Sequence, residues 1–127
     1  MVLLRLLKIL WASPYTMLGL SIGLIGLCFG GRVVRRWPLE FCDGGVAWFL
    51  RRFTGEFAMA MTLGHVILGL TESALDISRE HEFVHVRQYE RWGPLFGPAY
   101  LGYYAYLKAR GRDGYRENPF EKEAFGD

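Results

Sequence analysis

His81-Glu82-Phe83-Val84-His85 is the arrangement in this chain best suited to chemistry: an HExxH, with two imidazoles four residues apart. On a helix that spacing puts both rings on one face, a turn apart, where they reach a single metal ion. Glu82 projects in a neighbouring direction, so its carboxylate addresses a water on the metal rather than the metal itself. Zinc lowers the pKa of such a water to about 7, and a carboxylate then takes its proton during attack on a carbonyl. The chain has only 3 histidines, and roughly one shuffled chain of this composition in a few hundred would contain an HExxH by chance. That rarity weighs against the bland reading, a solvated helix face bearing Arg79, Glu80, Arg87, Glu90 and Arg91.

A tetrahedral zinc site needs a further protein ligand. Asn118-Pro119-Phe120-Glu121-Lys122-Glu123-Ala124 reads as a helix start, with Asn118 as N-cap, Pro119 at the first helical position and Glu121 at the third. Glu121 either closes a capping box or completes a His₂Glu site, and Glu123 is the alternative ligand. Gln88 lies on the ligand face, seven residues after His81 and three after His85. It either hydrogen-bonds a ligand or substrate or is solvated. His65, in an expected strand upstream, is a ligand or oxyanion donor beside the metal, or a structural histidine. Tyr115 and Arg116 either polarise a tetrahedral oxyanion or lie on the surface. Asp76 is a candidate partner for a ligand histidine N–H.

HExxH followed by Glu121-Lys122-Glu123-Ala124 resembles the gluzincin metallopeptidases, including membrane-embedded enzymes of the CAAX-protease type. The resemblance implies Glu121 as the third zinc ligand, with Glu123 as fallback. It departs at Phe125, where the pattern has an aspartate. The longer strings HEFVHVRQYERWGP and YRENPFEKEA also resemble small bacterial membrane-anchored zincin-like proteins with HExxHxxQ, over residues 62–125. That likeness implies a metal-dependent hydrolase with Zn²⁺ as cofactor, and names no substrate.

The metal helix is expected over Ser73 to Trp92, started by Ser73-x-x-Asp76 and stopped by Gly93-Pro94. Before it, Arg32 to Phe41 reads as a strand, interrupted or at a sheet edge because of Pro38, Asp43-Gly44-Gly45 as a turn, and Val46 to Phe53 as a strand or short helix. Thr54-Gly55 breaks the pattern, and a third strand follows around Met61 to Leu68. The expected domain, residues 32–127, is α+β: a small antiparallel sheet and an HExxH helix. Pro94 to Leu107, with Tyr100, Tyr103, Tyr104 and Tyr106, is a helix at a membrane interface, packed on the anchor or in the core.

From Ile9 to Gly31 run 23 residues without formal charge, enough to cross a hydrocarbon core of roughly 30 Å. Trp11 and Tyr15 stand near one end, and Pro14 is expected in the first turns. Gly19 and Gly23, continued by Gly26 and Gly30, offer a packing face for a second copy of the chain. The run is too long for a signal-peptide core and no A-x-A site follows, so residues 1–31 read as a membrane anchor in contact with lipid. Arg32, Arg35, Arg36, Arg51 and Arg52 follow it while Arg5 and Lys8 precede it. The positive-inside rule then places the C-terminal domain in the cytoplasm, at a bacterial inner membrane if the resemblance holds.

Composition agrees. At 51% hydrophobic and 22% charged residues, the 127-residue chain is too apolar for disorder. A net charge of +2 supplies no field for nucleic acid, and two cysteines make no disulfide framework. The expectation is a membrane-anchored zinc peptidase acting on a peptide or protein substrate. The alternative is a non-catalytic membrane protein, with a structural metal site closed by His65 or Glu123, or a scaffold packing through Gly19 and Gly23.

Overall fold

A computed structural model describes residues 2–36, 38–54 and 59–126. Helix α1 (Val2–Leu27) leads into strands β1 (Arg32–Arg36) and β2 (Leu39–Cys42), then helix α2 (Gly44–Thr54). Strands β3 (Ala60–Leu63) and β4 (Val66–Gly69) precede the long helix α3 (Glu72–Trp92). After a 3-10 turn at Gly93–Leu95 come α4 (Phe96–Ala109) and the short α5 (Pro119–Phe125). The architecture is α+β, as expected, but the sheet is mixed rather than antiparallel. In the order β1-β2-β4-β3, the outer pairs are antiparallel and the central pair is parallel, with Leu39 opposite Val66 and Cys42 opposite Gly69.

Of the strand or short helix expected over Val46 to Phe53, the helix forms, and the Asp43-Gly44-Gly45 turn is its entrance. Asp43 and Gly44 both take positive φ, and the Asp43 carbonyl accepts from the N–H groups of Val46 and Ala47, starting α2. Helix α2 and then β3 lie between β2 and β4 in the chain, so the parallel pair is joined by a long connection and not by a tight turn. Val46, Ala47 and Leu50 of α2 are buried, while Arg51 and Arg52 sit in its last turn, where cations favour the helix dipole. The interrupted strand over Arg32 to Phe41 is in fact the β1–β2 hairpin, with Pro38 in the connection. Likewise the strand over Met61 to Leu68 is the β3–β4 hairpin. Gly64 turns it with φ 63°, and a Cβ there would collide with Thr16 of α1. His65 therefore stands in a turn. Trp37 and Gly55, which entered the expected first strand and the break after Thr54, lie outside the described residues.

Helix α1 is long and apolar enough to cross a membrane. It also shares the core of the rest of the chain, so it is not a detached anchor: it contacts α2, α3, β3 and β4. The glycine face expected to meet a second copy meets this chain's own sheet and α2. A Cβ on Gly19 would stand 2.9 Å from Val66 Cβ, one on Gly23 would stand 2.5 Å from the Phe41 ring, and one on Gly26 would collide with Val46. Small residues are needed there because side chains of the sheet and of α2 press against the helix backbone. Ala12 joins Tyr89, Phe96 and Phe120 in a buried cluster, and the Tyr15 hydroxyl donates to the Pro94 carbonyl and accepts from the Gly97 N–H. The opposite side of α1, with Met17, Leu18, Leu24 and Ile25, is exposed. Because α1 begins at Val2, Pro14 falls mid-helix rather than in the first turns. The Leu10 carbonyl that Pro14 cannot bond accepts from the Ser13 hydroxyl instead.

Candidate metal centre

Helix α3 is capped two residues before the expected Ser73. Thr71, in extended conformation, accepts from the Ala74 N–H, so the Ser73-x-x-Asp76 signal lies inside the first turns. Asp76 bonds Arg79, not a histidine. Gly93 ends the helix with φ 55°, its N–H donating to the Tyr89 carbonyl. Between these caps α3 lies beside β3 and β4 and buries Glu82, His85 and Gln88. Helix α5 docks against it, capped by Asn118, whose side chain accepts from Phe120 N–H and donates to the Tyr100 carbonyl. Although Glu121 is at the third helical position, it closes no capping box: its carboxylate points across to α3.

Three ligand atoms meet there. Glu121 Oε1 lies 3.0 Å from His81 Nε2 and 2.9 Å from His85 Nε2, and the two Nε2 atoms are 3.2 Å apart. Ligand atoms at zinc distances in a tetrahedron are separated by roughly 3.3 Å. The observed triangle comes close to that, so these donors fit a zinc-like ion by both spacing and chemistry. Imidazole N–H groups donating to the carboxylate, or a cation between the three atoms, would hold them this close.

The electrostatics agree. Burial would raise the Glu121 carboxyl, but hydrogen bonds from His81, His85 and Tyr100, with the nearby His85 charge, hold it down at about 2. It is thus an anionic ligand at neutral pH. Burial lowers His85, but the Glu121 hydrogen bond and charge outweigh it, so its pKa is raised. Glu82 is raised chiefly by its burial, opposed by His85, Thr62 and His81. Its Oε1 accepts from the Thr62 hydroxyl at 2.7 Å, and its Oε2 stands 4.0 Å from His81 Nε2. Glu82 therefore lies beside the ligand triangle rather than in it. A carboxylate with a raised pKa in that place can exchange a proton with a water.

The triangle opens on a cleft of about 760 Å³, walled by β3 on one side and by Phe96, Tyr100, Leu101 and Tyr104 of α4 on another. Tyr15 of α1 also lines it. Two contributors have no signal in the sequence. Thr62 holds Glu82 from the sheet, and the Tyr100 hydroxyl donates to Glu121 Oε2 at 2.6 Å. Burial, then the Glu121 charge and hydrogen bond, push the Tyr100 hydroxyl pKa well up, so it remains a donor. Both residues come from elements some twenty residues away in sequence, and a lone threonine or tyrosine announces nothing.

The other sequence candidates divide. Tyr115 lines the cleft, with its hydroxyl pushed up to about 12 by burial, then by Glu121 and Glu82. Arg116 does not point its charge at the ligands: its guanidinium lies 4.8 Å from the Phe125 ring centroid. Phe125, at the position where the resemblance expects aspartate, packs on His81 with ring centroids 4.4 Å apart. His65 lies outside the triangle, its Nε2 2.9 Å from Glu90 Oε2 and its backbone N–H donating to Thr16. Glu123 is bound by Gln88 and by Arg91, not by the triangle. Gln88 is fully buried and reaches His85 Nδ1. No family model, curated protein or solved structure matches this chain.

Proposed function

We propose that the protein is a membrane-associated, zinc-dependent peptidase. The observation that carries this reading is the convergence of His81, His85 and Glu121 to within 3.2 Å of one another beside Glu82, a buried carboxylate that is not one of the three. His81, His85 and Glu121 would hold the ion, which when bound supplies a Lewis acid and lowers the pKa of a coordinated water. Glu82 takes the proton of the attacking water and passes it to the leaving amine, held in place by Thr62. Tyr100 fixes the Glu121 carboxylate, and Tyr115, which lines the cleft, would donate to a developing oxyanion.

A peptide substrate is favoured by the cleft wall. β3 is one of the two edge strands of the sheet, and residues 60–63 line the cleft, so an extended chain can pair with its backbone. A structural site would be closed by a fourth protein ligand, yet His65 and Glu123 have other partners, and the group of described residues that could hold a metal numbers three. That leaves a position for water or substrate, which favours catalysis. The exposed apolar side of α1 would face lipid, with the basic residues after it on the cytoplasmic side.

The full chain, reconstituted in liposomes and supplied with a quenched-fluorescent peptide library, should cleave peptides in a zinc-dependent way. Chelator should stop cleavage and added zinc restore it. Cleavage indifferent to chelator, or none by zinc-loaded protein, would overturn the reading.

A further inference from the structure

The geometry points to Gln88 as the positioning residue that keeps His85 in the one tautomer able to bind a metal. The inference rests on the metal-site reading above. A neutral imidazole carries one N–H, and the nitrogen facing a metal must be bare, so the other must hold the proton. His85 presents Nε2 to the triangle and Nδ1 to Gln88 Oε1 at 2.8 Å.

A glutamine amide could in principle face the ring with either end, and its surroundings decide which. The Gln88 NH₂ group lies 2.9 Å from the Phe120 carbonyl and 2.7 Å from Glu123 Oε1, and both of these only accept. Both amide hydrogens are thereby committed, and the oxygen is left for His85. Nδ1 must then donate, and Nε2 keeps its lone pair for the metal. Glu123 is itself held by Arg91, whose Nη2 contacts its two carboxylate oxygens at 3.0 and 2.9 Å. Gln88 is fully buried, so no water competes for these bonds.

The same amide has a second consequence. Phe120 and Glu123 flank Glu121 on α5, so Gln88 joins the helix of the third ligand to the tautomer of the second. His81 is steadied differently, by its packing on Phe125. Glu123, considered from the sequence as a ligand, serves through Gln88.

The test is metal affinity and imidazole N–H exchange in the full chain in detergent. Wild type and Gln88→Met would be titrated with zinc against a competing chelator, and the cobalt-loaded forms examined by proton NMR. Cobalt-loaded wild type should show a slowly exchanging His85 Nδ1–H. Gln88→Met should bind zinc about 10- to 100-fold more weakly, with that proton exchanging at least tenfold faster. Wild-type affinity with a protected proton in the variant would overturn the inference. So would a rapidly exchanging proton in wild type itself, a result that stands even where the variant fails to fold. A wild type that binds no zinc at all would instead overturn the metal-site reading on which the inference rests.

Discussion

Glu82→Gln is expected to cut peptide hydrolysis by about 10²- to 10⁴-fold while leaving one metal per chain in place. The side chain is nearly isosteric, and its oxygen can still accept from the Thr62 hydroxyl, so the buried setting of residue 82 is preserved. What the amide cannot do is take a proton from water. Burial raises the pKa of Glu82, which favours its taking a proton from a water. Because the three ligand atoms belong to His81, His85 and Glu121, the metal should stay. Initial rates measured beside metal content decide the matter. Full activity would remove Glu82 from the chemistry, and loss of metal would make it a ligand.

Arg79→Met is expected to destabilise the protein by about 3–5 kcal/mol, the usual cost of leaving a buried charge without its partner. Glu40 is fully buried in β2, between its sheet neighbours Arg35 and Ile67. Both of its oxygens are taken by the Arg79 guanidinium, Nη2 at 2.8 Å and Nε at 3.1 Å, while Asp76 holds Nη1. The Glu40 hydrogen bond is also the main reason the Arg79 pKa is raised, with Asp76 adding to it. This clamp fixes α3 to the sheet two residues before His81. The double variant Glu40→Gln/Arg79→Met should lose less, since no buried charge remains. Denaturant midpoints in detergent measure both. A loss below about 1 kcal/mol for Arg79→Met would mean the pair behaves as a surface ion pair.

What could be read from the sequence was what depends on neighbours in sequence. His81 and His85 share a face because they are four residues apart, and Asn118-Pro119 starts α5 because a side-chain cap and a fixed φ act within one turn. Where two local signals compete, the sequence does not decide between them. Thr71 caps α3 in place of Ser73, and of the strand or short helix open to Val46–Phe53 the helix forms, entered directly through Asp43-Gly44. Helix α2 carries the chain past the neighbouring position in the sheet to β3, and the β3–β4 hairpin then returns β4 beside β2 and parallel to it. Contacts between distant elements left no trace at all. Thr62 on Glu82, Tyr100 on Glu121 and Glu40 under Arg79 follow from how the helices lie on the sheet. The glycines of α1 showed that something packs closely there, but could not say that it is Val66, Phe41 and Val46 of the same chain.

The central claim is that His81, His85 and Glu121 hold one metal ion, and metal stoichiometry on detergent-purified, zinc-replete protein tests it most directly. Wild type should carry one zinc per chain, and His85→Ala and Glu121→Ala should each lose it. A wild type without zinc, or variants that retain it in full, would contradict the account.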